Sequence, residues 1–423
     1  MNTRKLLNLF FTASVFLNVL SGCKKSDGSE IIPPVDHQPL PRPVGEPDGA
    51  ALSFTIGAGG GQFSSPDGFI KVTVPAGAVS EQTTFQLQPV KNTCDAGLGK
   101  SYSLLPHGKQ FAKPVTIRFS YDKLLDSIAS EEVLSIAFQD AQGIWQMVRP
   151  VTIDPTSKTV TVTTSHFSNW TLVTWLKLVP TSSVAGQNET LPLQVLNYHP
   201  YADDLLAPLN NADVTSLPLG KGVPVLASLV KKWSLTGVGT LSGNGSKATY
   251  KAPATVIEQA EATAVAQIVS EQHQLLLLAH IRILADGVVY RIGGGEWQHL
   301  PGGASYLDET QSGVAGVSEV FNLSIIWPGG TGNFSWVHEN ETHNTAINLS
   351  NLGAGYIHAS WYLGANDEVL DSGGSLKIDK WGAVGEWIIG SFSVSPSGKF
   401  SVSSGKQLGT QQIEGYFRVK RIV

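Results

Sequence analysis

The chain has 423 residues, enough for about three domains at roughly 100–200 residues each. Charged residues make up 15%, against about 25% in ordinary domains, and glycine fills 44 positions, which argues against long helices and coiled coils. A hydrophobic share of 42% argues against a disordered chain. A formal net charge of −5 leaves no basic face for nucleic acid, and two cysteines cannot build a disulfide framework or a cysteine zinc site.

The first 23 residues read as a leader. Arg4 and Lys5 form a positive start, and Leu6 to Leu20 is an apolar stretch too short for a comfortable membrane span. Leu20-Ser21-Gly22-Cys23 resembles the lipobox of bacterial lipoproteins. The resemblance implies cleavage before Cys23 and acylation of its thiol, with several acyl chains giving stable anchoring. Cleavage leaves 27 basic and 34 acidic residues and a net charge of −7. Cys23-Lys24-Lys25-Ser26-Asp27 resembles the start of surface-exported lipoproteins of Bacteroidota, which implies an outer-membrane, surface-exposed location. Residues 24–52 carry six prolines (Pro33, Pro34, Pro39, Pro41, Pro43 and Pro47) and read as an extended tether, at about 3.1 Å per residue.

Residues 53–175 carry strand signals. Ile70, Val72 and Val74 alternate with Lys71 and Thr73. Phe85 and Leu87 alternate with glutamines, and Val115, Ile117, Phe119 and Tyr121 with polar residues. Leu134, Ile136 and Phe138 follow, then Val160 and Val162 among threonines. This period of two predicts half-buried antiparallel strands and a β-sandwich, with Asp126 to Glu132 the one short helix candidate. Gly60-Gly61-Gln62-Phe63, Gly68-Phe69-Ile70-Lys71-Val72-Thr73-Val74-Pro75-Ala76-Gly77-Ala78 and Lys113-Pro114-Val115-Thr116-Ile117 together resemble the domain of zonula occludens proteins, ankyrins and netrin receptors, the ZU-five domain.

Thr164-Ser165-His166-Phe167-Ser168-Asn169-Trp170 matches the terminal strand of several members of that family. Some members with His-Phe-Ser here cleave themselves between Phe and Ser. The resemblance therefore implies candidate catalytic residues His166, Phe167 and Ser168. The Ser168 hydroxyl would attack the Phe167 carbonyl in an N→O acyl shift, His166 would take the proton, and water would hydrolyse the ester. Strain at a sharp turn would raise the ground state. Cleavage would give fragments 23–167 and 168–423. The other reading is a strand end, with Phe167 in the core and His166 hydrogen-bonded. Val160 and Val162 are even-numbered, Phe167 is odd, and Trp170 and Leu172 are even again, so a bulge or kink is expected near Ser165. Cys94 reads as an inert loop thiol.

Residues 176–285 give strands at Leu176–Pro180, Leu191–Val195, Ala262–Val269 and Leu275–Leu284. Trp233-Ser234-Leu235-Thr236-Gly237-Val238-Gly239, then Gly243-Asn244-Gly245 and Tyr250-Lys251-Ala252-Pro253, resemble bacterial immunoglobulin-like repeats. The resemblance implies a sandwich with Trp233 in its core and a spacer or stalk role. Leu275 to Leu278 is apolar throughout, as expected of a strand buried on both faces or packed on a neighbouring domain.

Residues 286–423 hold six of the ten tryptophans (Trp297, Trp327, Trp336, Trp361, Trp381 and Trp387) among short strands and Gly turns. A Trp-rich barrel or sandwich is expected. Gly390-Ser391-Phe392 and Gly415-Tyr416-Phe417 resemble an uncharacterised β domain at the C-termini of Bacteroidota lipoproteins. Exposed tryptophans would suit sugar stacking; buried ones would be core. His338-Glu339-Asn340-Glu341-Thr342-His343 is one residue too long for a His-Glu-x-x-His zinc helix and reads as a solvated turn, so no metal is expected. Asp126-Ser127-Ile128 resembles the O-glycosylation motif of Bacteroidota.

The sequence thus predicts an all-β chain of three consecutive sandwich or barrel domains: signal peptide 1–22, lipidated Cys23 and linker 23–52, ZU-five-like domain 53–175, Ig-like sandwich 176–285 and Trp-rich domain 286–423. The expected role is binding or adhesion at the outer membrane surface, without catalysis on external substrates and without a cofactor. The partners are the membrane, through the lipid, and a glycan or protein ligand of the C-terminal domain; nucleic acid is not expected. Two alternatives stay open: self-processing at Phe167/Ser168, and a purely structural envelope-assembly subunit. No Gly-x-Ser-x-Gly elbow is present.

Overall fold

Alternation becomes pairing almost everywhere it occurs. The computed structural model describes residues 39–200, 205–210, 215–270, 273–308, 311–338 and 344–423, and the chain is almost all β. Cys23, the lipobox, Pro33, Pro34, Asn340 and His343 lie outside the described residues. Residues 37–423 form one compact unit.

Two sheets face each other in the first part. One has seven strands in the order Leu52–Ile56, Thr83–Val90, Gly97–Leu105, Asn169–Thr174, Leu134–Gln139, Trp145–Val148 and Ser216–Pro218. The other has five: Gly61–Ser64, Ile70–Val74, Gln110–Ser120, Thr159–His166 and Thr152–Asp154. The inward residues foreseen from alternation, among them Ile70, Val72, Phe85, Leu87, Val115, Ile117, Phe119 and Val160, are buried between the sheets.

Two expectations need correction here. The helix expected over 126–132 is replaced by two short 3-10 turns, Asp122–Ser127 and Glu131–Val133. Between them Ile128 and Ser130 are extended, and the Ala129 carbonyl accepts from Leu278 N–H at 2.9 Å, so a strand-like contact to a distant segment overrides local propensity. The linker also ends earlier than residue 52. Arg42 N–H donates to the Gly143 carbonyl (2.8 Å), Lys91 N–H to Glu46 (2.8 Å) and Asp48 N–H to Pro89 (2.9 Å), while Arg42 pairs with Asp95. Residues 42–48 are therefore bonded to the seven-stranded sheet and contribute no extended reach.

The second part is a sandwich of two sheets. One contains Leu176–Val179, Thr190–Asn197, Lys247–Lys251, Thr240–Asn244 and Val223–Pro224. The other runs Ser182–Ala185, His273–Ile283, Ala260–Ser270, Val230–Gly237. Their core is continuous with the first part: Ala129, Val133, Trp145 and Met147 share one apolar cluster with Val173, Trp175, Leu193, Tyr250, Leu277 and Ile281. The Leu275–Leu278 run is not buried on both faces. Leu275 and Leu277 are buried, but Leu276 is 44% exposed, because the strand covers the core with one side only. Trp233 is half-buried at the core's margin, and its indole N–H donates to the Gly245 carbonyl at 2.9 Å. Gly243 beneath it has no room for a Cβ, which would sit 2.3 Å from the Trp233 ring.

The third part is an eleven-stranded antiparallel sheet that nearly closes into a barrel. Its longest strands, Trp387–Ser401 and Gln407–Lys420, form the spine. The strand Gly302–Asp308 returns to that spine: Ala304 bridges Arg421, and Ile422 N–H donates to the Ala304 carbonyl at 2.7 Å. Val288, Leu323, Ile325, Trp327, Leu349, Leu376, Phe392, Val394 and Phe417 fill the interior, as in a small barrel packed by its own side chains. Arg418, only 2% exposed, ties this part to the second. It pairs with Glu189 and Asp286 and lies over the Trp387 ring at 3.5 Å.

Candidate functional site

Three places bear on function: the His-Phe-Ser segment, the tryptophans, and a cleft where the three parts meet.

His166 ends a strand of the five-stranded sheet, and Asn169 begins one of the seven-stranded sheet. Phe167 and Ser168 are the crossover between the two layers. The register shifts between Thr164 and His166, so the parity break in the sequence marks a chain changing sheets. Phe167 is 1% exposed. Its ring meets Phe111, Phe85 and Phe63 edge-on at centroid distances of 4.8, 5.6 and 6.4 Å. Its carbonyl accepts from Gly108 N–H at 3.2 Å, a donor positioned as an oxyanion partner would be. The other two groups are turned to different partners. The Ser168 hydroxyl donates to the Gln139 carbonyl. Nδ1 of His166 shares a hydrogen bond with Thr164 Oγ1 at 2.9 Å, and its ring lies against Phe138 and Trp170. Burial lowers the His166 pKa, disfavouring the charged imidazolium. Neither Phe167 nor Ser168 has a left-handed φ or a cis bond, so the backbone carries no such strain at this bond.

The tryptophans of the third part divide in two. Trp327 and Trp336 are buried, their indole N–H groups bonded to the Gly330 (3.2 Å) and Ser393 (2.7 Å) carbonyls. The other four are half-buried, and each carries a cation or an imidazole on its ring: Arg291 on Trp297 (4.6 Å), His338 on Trp361 (4.5 Å), Arg421 on Trp381 (4.6 Å) and Arg418 on Trp387. These partners occupy ring faces that a stacked sugar would use. His338 is thereby placed in an aromatic stack, and its backbone N–H donates to Asp371 at 2.8 Å. Among the described residues no three His, Cys, Asp or Glu side chains gather as a metal set.

The cleft has a volume of about 640 Å³ and draws on all three parts of the chain. Asp126 comes from the first part. Ser182, Glu261, Thr263, His280 and Arg282 come from the outward face of the second sandwich, and Lys377 and Asp379 from the barrel. The same strand alternation that buries Ala262, Ile281 and Ile283 turns Glu261, Thr263, His280 and Arg282 outward. Asp379 bridges Arg282 (2.6 Å) and Lys377 (2.8 Å). Burial raises its pKa, but hydrogen bonds and charge from Lys377 and Arg282 outweigh this and hold the carboxyl below its usual range. Thr263 Oγ1 and His280 Nδ1 lie 3.4 Å apart. Among the described residues no cation pairs with Asp126 or Glu261. The cleft thus offers carboxylates, hydroxyls and an imidazole on one side and a fixed ion-pair triad on the other.

No family model matches the chain, and no curated protein sequence matches it. Sequence reasoning missed the cleft. Its residues are ordinary outward-facing polar positions, separated by up to about 250 residues, and only the packing of the three parts brings them together.

Proposed function

We infer that the protein is a lipid-anchored cell-envelope protein that binds a polar, hydroxyl-rich ligand of the glycan class in the cleft between its three parts. The single observation that carries this reading is the cleft's lining: Asp126 and Glu261, without an ion-pair partner among the described residues, the Thr263–His280 pair and the outward Ser182 hydroxyl around about 640 Å³. A volume of this order suits a small ligand, and junctions between domains are common places for one. Carboxylates that accept and hydroxyls that both donate and accept match the hydroxyl pattern of a sugar. The leader motif ending at Cys23 supports anchoring, and the ZU-five-like and Ig-like motifs support a modular envelope protein of all-β build. On this reading His166, Phe167 and Ser168 form a sheet crossover, and catalysis on external substrates is not part of the role.

Two experiments test it. Acyl labelling in a bacterial host should mark the parent chain and not Cys23→Ala; equal labelling would remove the anchor. A glycan array probed with the full chain carrying Cys23→Ser should retain at least one glycan that Glu261→Gln and Thr263→Ala each bind at least about tenfold more weakly. Retention unchanged by both substitutions, or no retention, would remove the cleft as the binding site.

A further inference from the structure

One end of the barrel interior holds a second, chemically different set of groups. The strand Tyr356–Ala359 lies between Ala346–Asn351 and the spine strand Trp387–Ser401. In register across these strands, Leu349, His358, Lys399 and Gly409 form one row, so their side chains share the barrel's inner face. Asn351, Tyr356 and Ser401 form the next row toward the mouth. Phe321 pairs with Asn351 and carries Tyr290 against its ring at 6.0 Å, which brings Tyr290 to the same end.

The polar atoms here lack partners. His358 is 1% exposed and neither ring nitrogen has a hydrogen-bond partner. Tyr290 is fully buried and its hydroxyl is also unpartnered. A buried polar atom without a partner is destabilising, so three at one end, the two His358 ring nitrogens and the Tyr290 hydroxyl, point to a polar ligand there. Lys399 enters from the half-open mouth, with Nζ 4.0 Å from the Tyr356 ring centre and no acidic partner among the described residues. Tyr356 Oη accepts from Asn351 Nδ2 at 3.2 Å, which leaves its own proton to donate. A Cβ at Gly409, opposite Lys399, would meet nothing within 4 Å, so the row is open there.

We propose that this end of the barrel binds a small oxyanion group, a carboxylate or phosphate, held by Lys399 Nζ, the Tyr290 and Tyr356 hydroxyls and the His358 N–H. The groups are an ammonium, two hydroxyl donors and one imidazole N–H, and no described carboxylate faces them. Water would satisfy the hydrogen bonds but leave the Lys399 charge uncompensated beside an apolar interior, whereas an oxyanion satisfies both. Leu349, Leu323 and Val394 fill the barrel beyond, so only the charged group enters and any remainder of the ligand stays outside. The site lies in the barrel interior, lined by none of the cleft residues, and stands or falls apart from the glycan reading.

The test uses the full chain carrying Cys23→Ser, with histidine-selective NMR labelling and two probes, acetate and inorganic phosphate. Saturable shifts of the His358 ring signals are expected with at least one probe. They should weaken at least about tenfold in Lys399→Met, whose changed side chain is half-exposed, and severalfold in Tyr290→Phe, which removes only the hydroxyl. Flotation with phosphatidylcholine vesicles, with and without phosphatidylglycerol, separates the sources. Capture by the anionic vesicles that Lys399→Met abolishes assigns a lipid headgroup; a response to the free anions alone assigns a soluble one. The absence of any saturable shift, or an equal shift in Lys399→Met, would overturn the proposal, and a thermal melt of each variant confirms that it is folded.

Discussion

Truncating Phe167 to alanine tests whether the His-Phe-Ser segment is a structural crossover. The side chain is 1% exposed and sits where the chain passes between the two sheets of the first sandwich. Removing a buried phenyl ring forfeits about 2–3 kcal/mol of transfer free energy. The edge-on contacts to Phe111 (4.8 Å) and Phe85 (5.6 Å) add about 0.5–1.5 kcal/mol each. The sum, about 4 kcal/mol, agrees with the 3–5 kcal/mol usual for Phe→Ala in cores. Phe167→Leu keeps most of the volume and should cost about 1–1.5 kcal/mol. Urea unfolding of the full chain, followed by tryptophan fluorescence, reads both. The transition of the first two parts should move to lower urea together, because Ala129, Val133, Trp145 and Met147 of the first part are packed into the core of the second. A loss below about 1 kcal/mol for Phe167→Ala would refute the reasoning, since the ring would then not be closing the sandwich.

Four further outcomes follow from the packing. Arg418→Ala should destabilise the junction of the second and third parts by about 2–4 kcal/mol, and Arg418→Lys should recover less than half, because lysine cannot reach Glu189, Asp286 and the Trp387 face together; thermal melts check this. Gly243→Ala should cost about 1–3 kcal/mol through collision with Trp233, whereas at Gly294, with open space around it, only the positive φ penalises alanine; paired urea curves compare them. Burial, then the Lys399 charge, lowers the His358 pKa from 6.5 to about 4, so the unfolded chain takes up this proton first. The stability it contributes is full above about pH 6.5 and lost as pH falls through about 4. His358→Gln should flatten the pH–stability curve in that window by about 1–3 kcal/mol relative to the parent, and an unchanged slope would contradict it. Burial pushes the Cys94 thiol up to about 12, so in Cys23→Ser protein iodoacetamide at pH 8 should leave Cys94 unmodified until urea unfolds the chain; rapid labelling of the folded protein, seen by mass, would contradict its burial.

Much of the fold was legible because burial on one face imposes a period of two. Val115, Ile117 and Phe119 could be assigned to one face from the sequence alone, and the structure buries all three. Where alternation is masked by composition, burial on both faces could not be told from packing on a neighbouring domain: Leu276 is exposed, so the first does not hold, while Leu278 N–H donates to the Ala129 carbonyl of the first part. Non-local pairings were invisible for a different reason. The addition of Ser216–Pro218 to the first sheet, and the Ala129–Leu278 contact that prevents a helix at 126–132, depend on segments about 70 and 150 residues away. The parity break at Phe167 did signal an irregularity, but a bulge within a strand and a change of sheet leave the same trace in sequence. Neither the cleft nor the polar barrel end has a motif. Both arise when outward positions of separate strands, or inward ones such as His358 and Tyr290, are brought together by closure of the architecture.

The central claim is that Ser168 belongs to a crossover, its hydroxyl bound to the Gln139 carbonyl and not poised over Phe167. The intact mass of the freshly purified full chain under denaturing conditions, beside Ser168→Ala, tests this most directly. The account predicts one uncut chain in both samples. Two fragments meeting at Phe167 and Ser168 in the parent, absent from Ser168→Ala, would contradict it and make self-processing the function to explain.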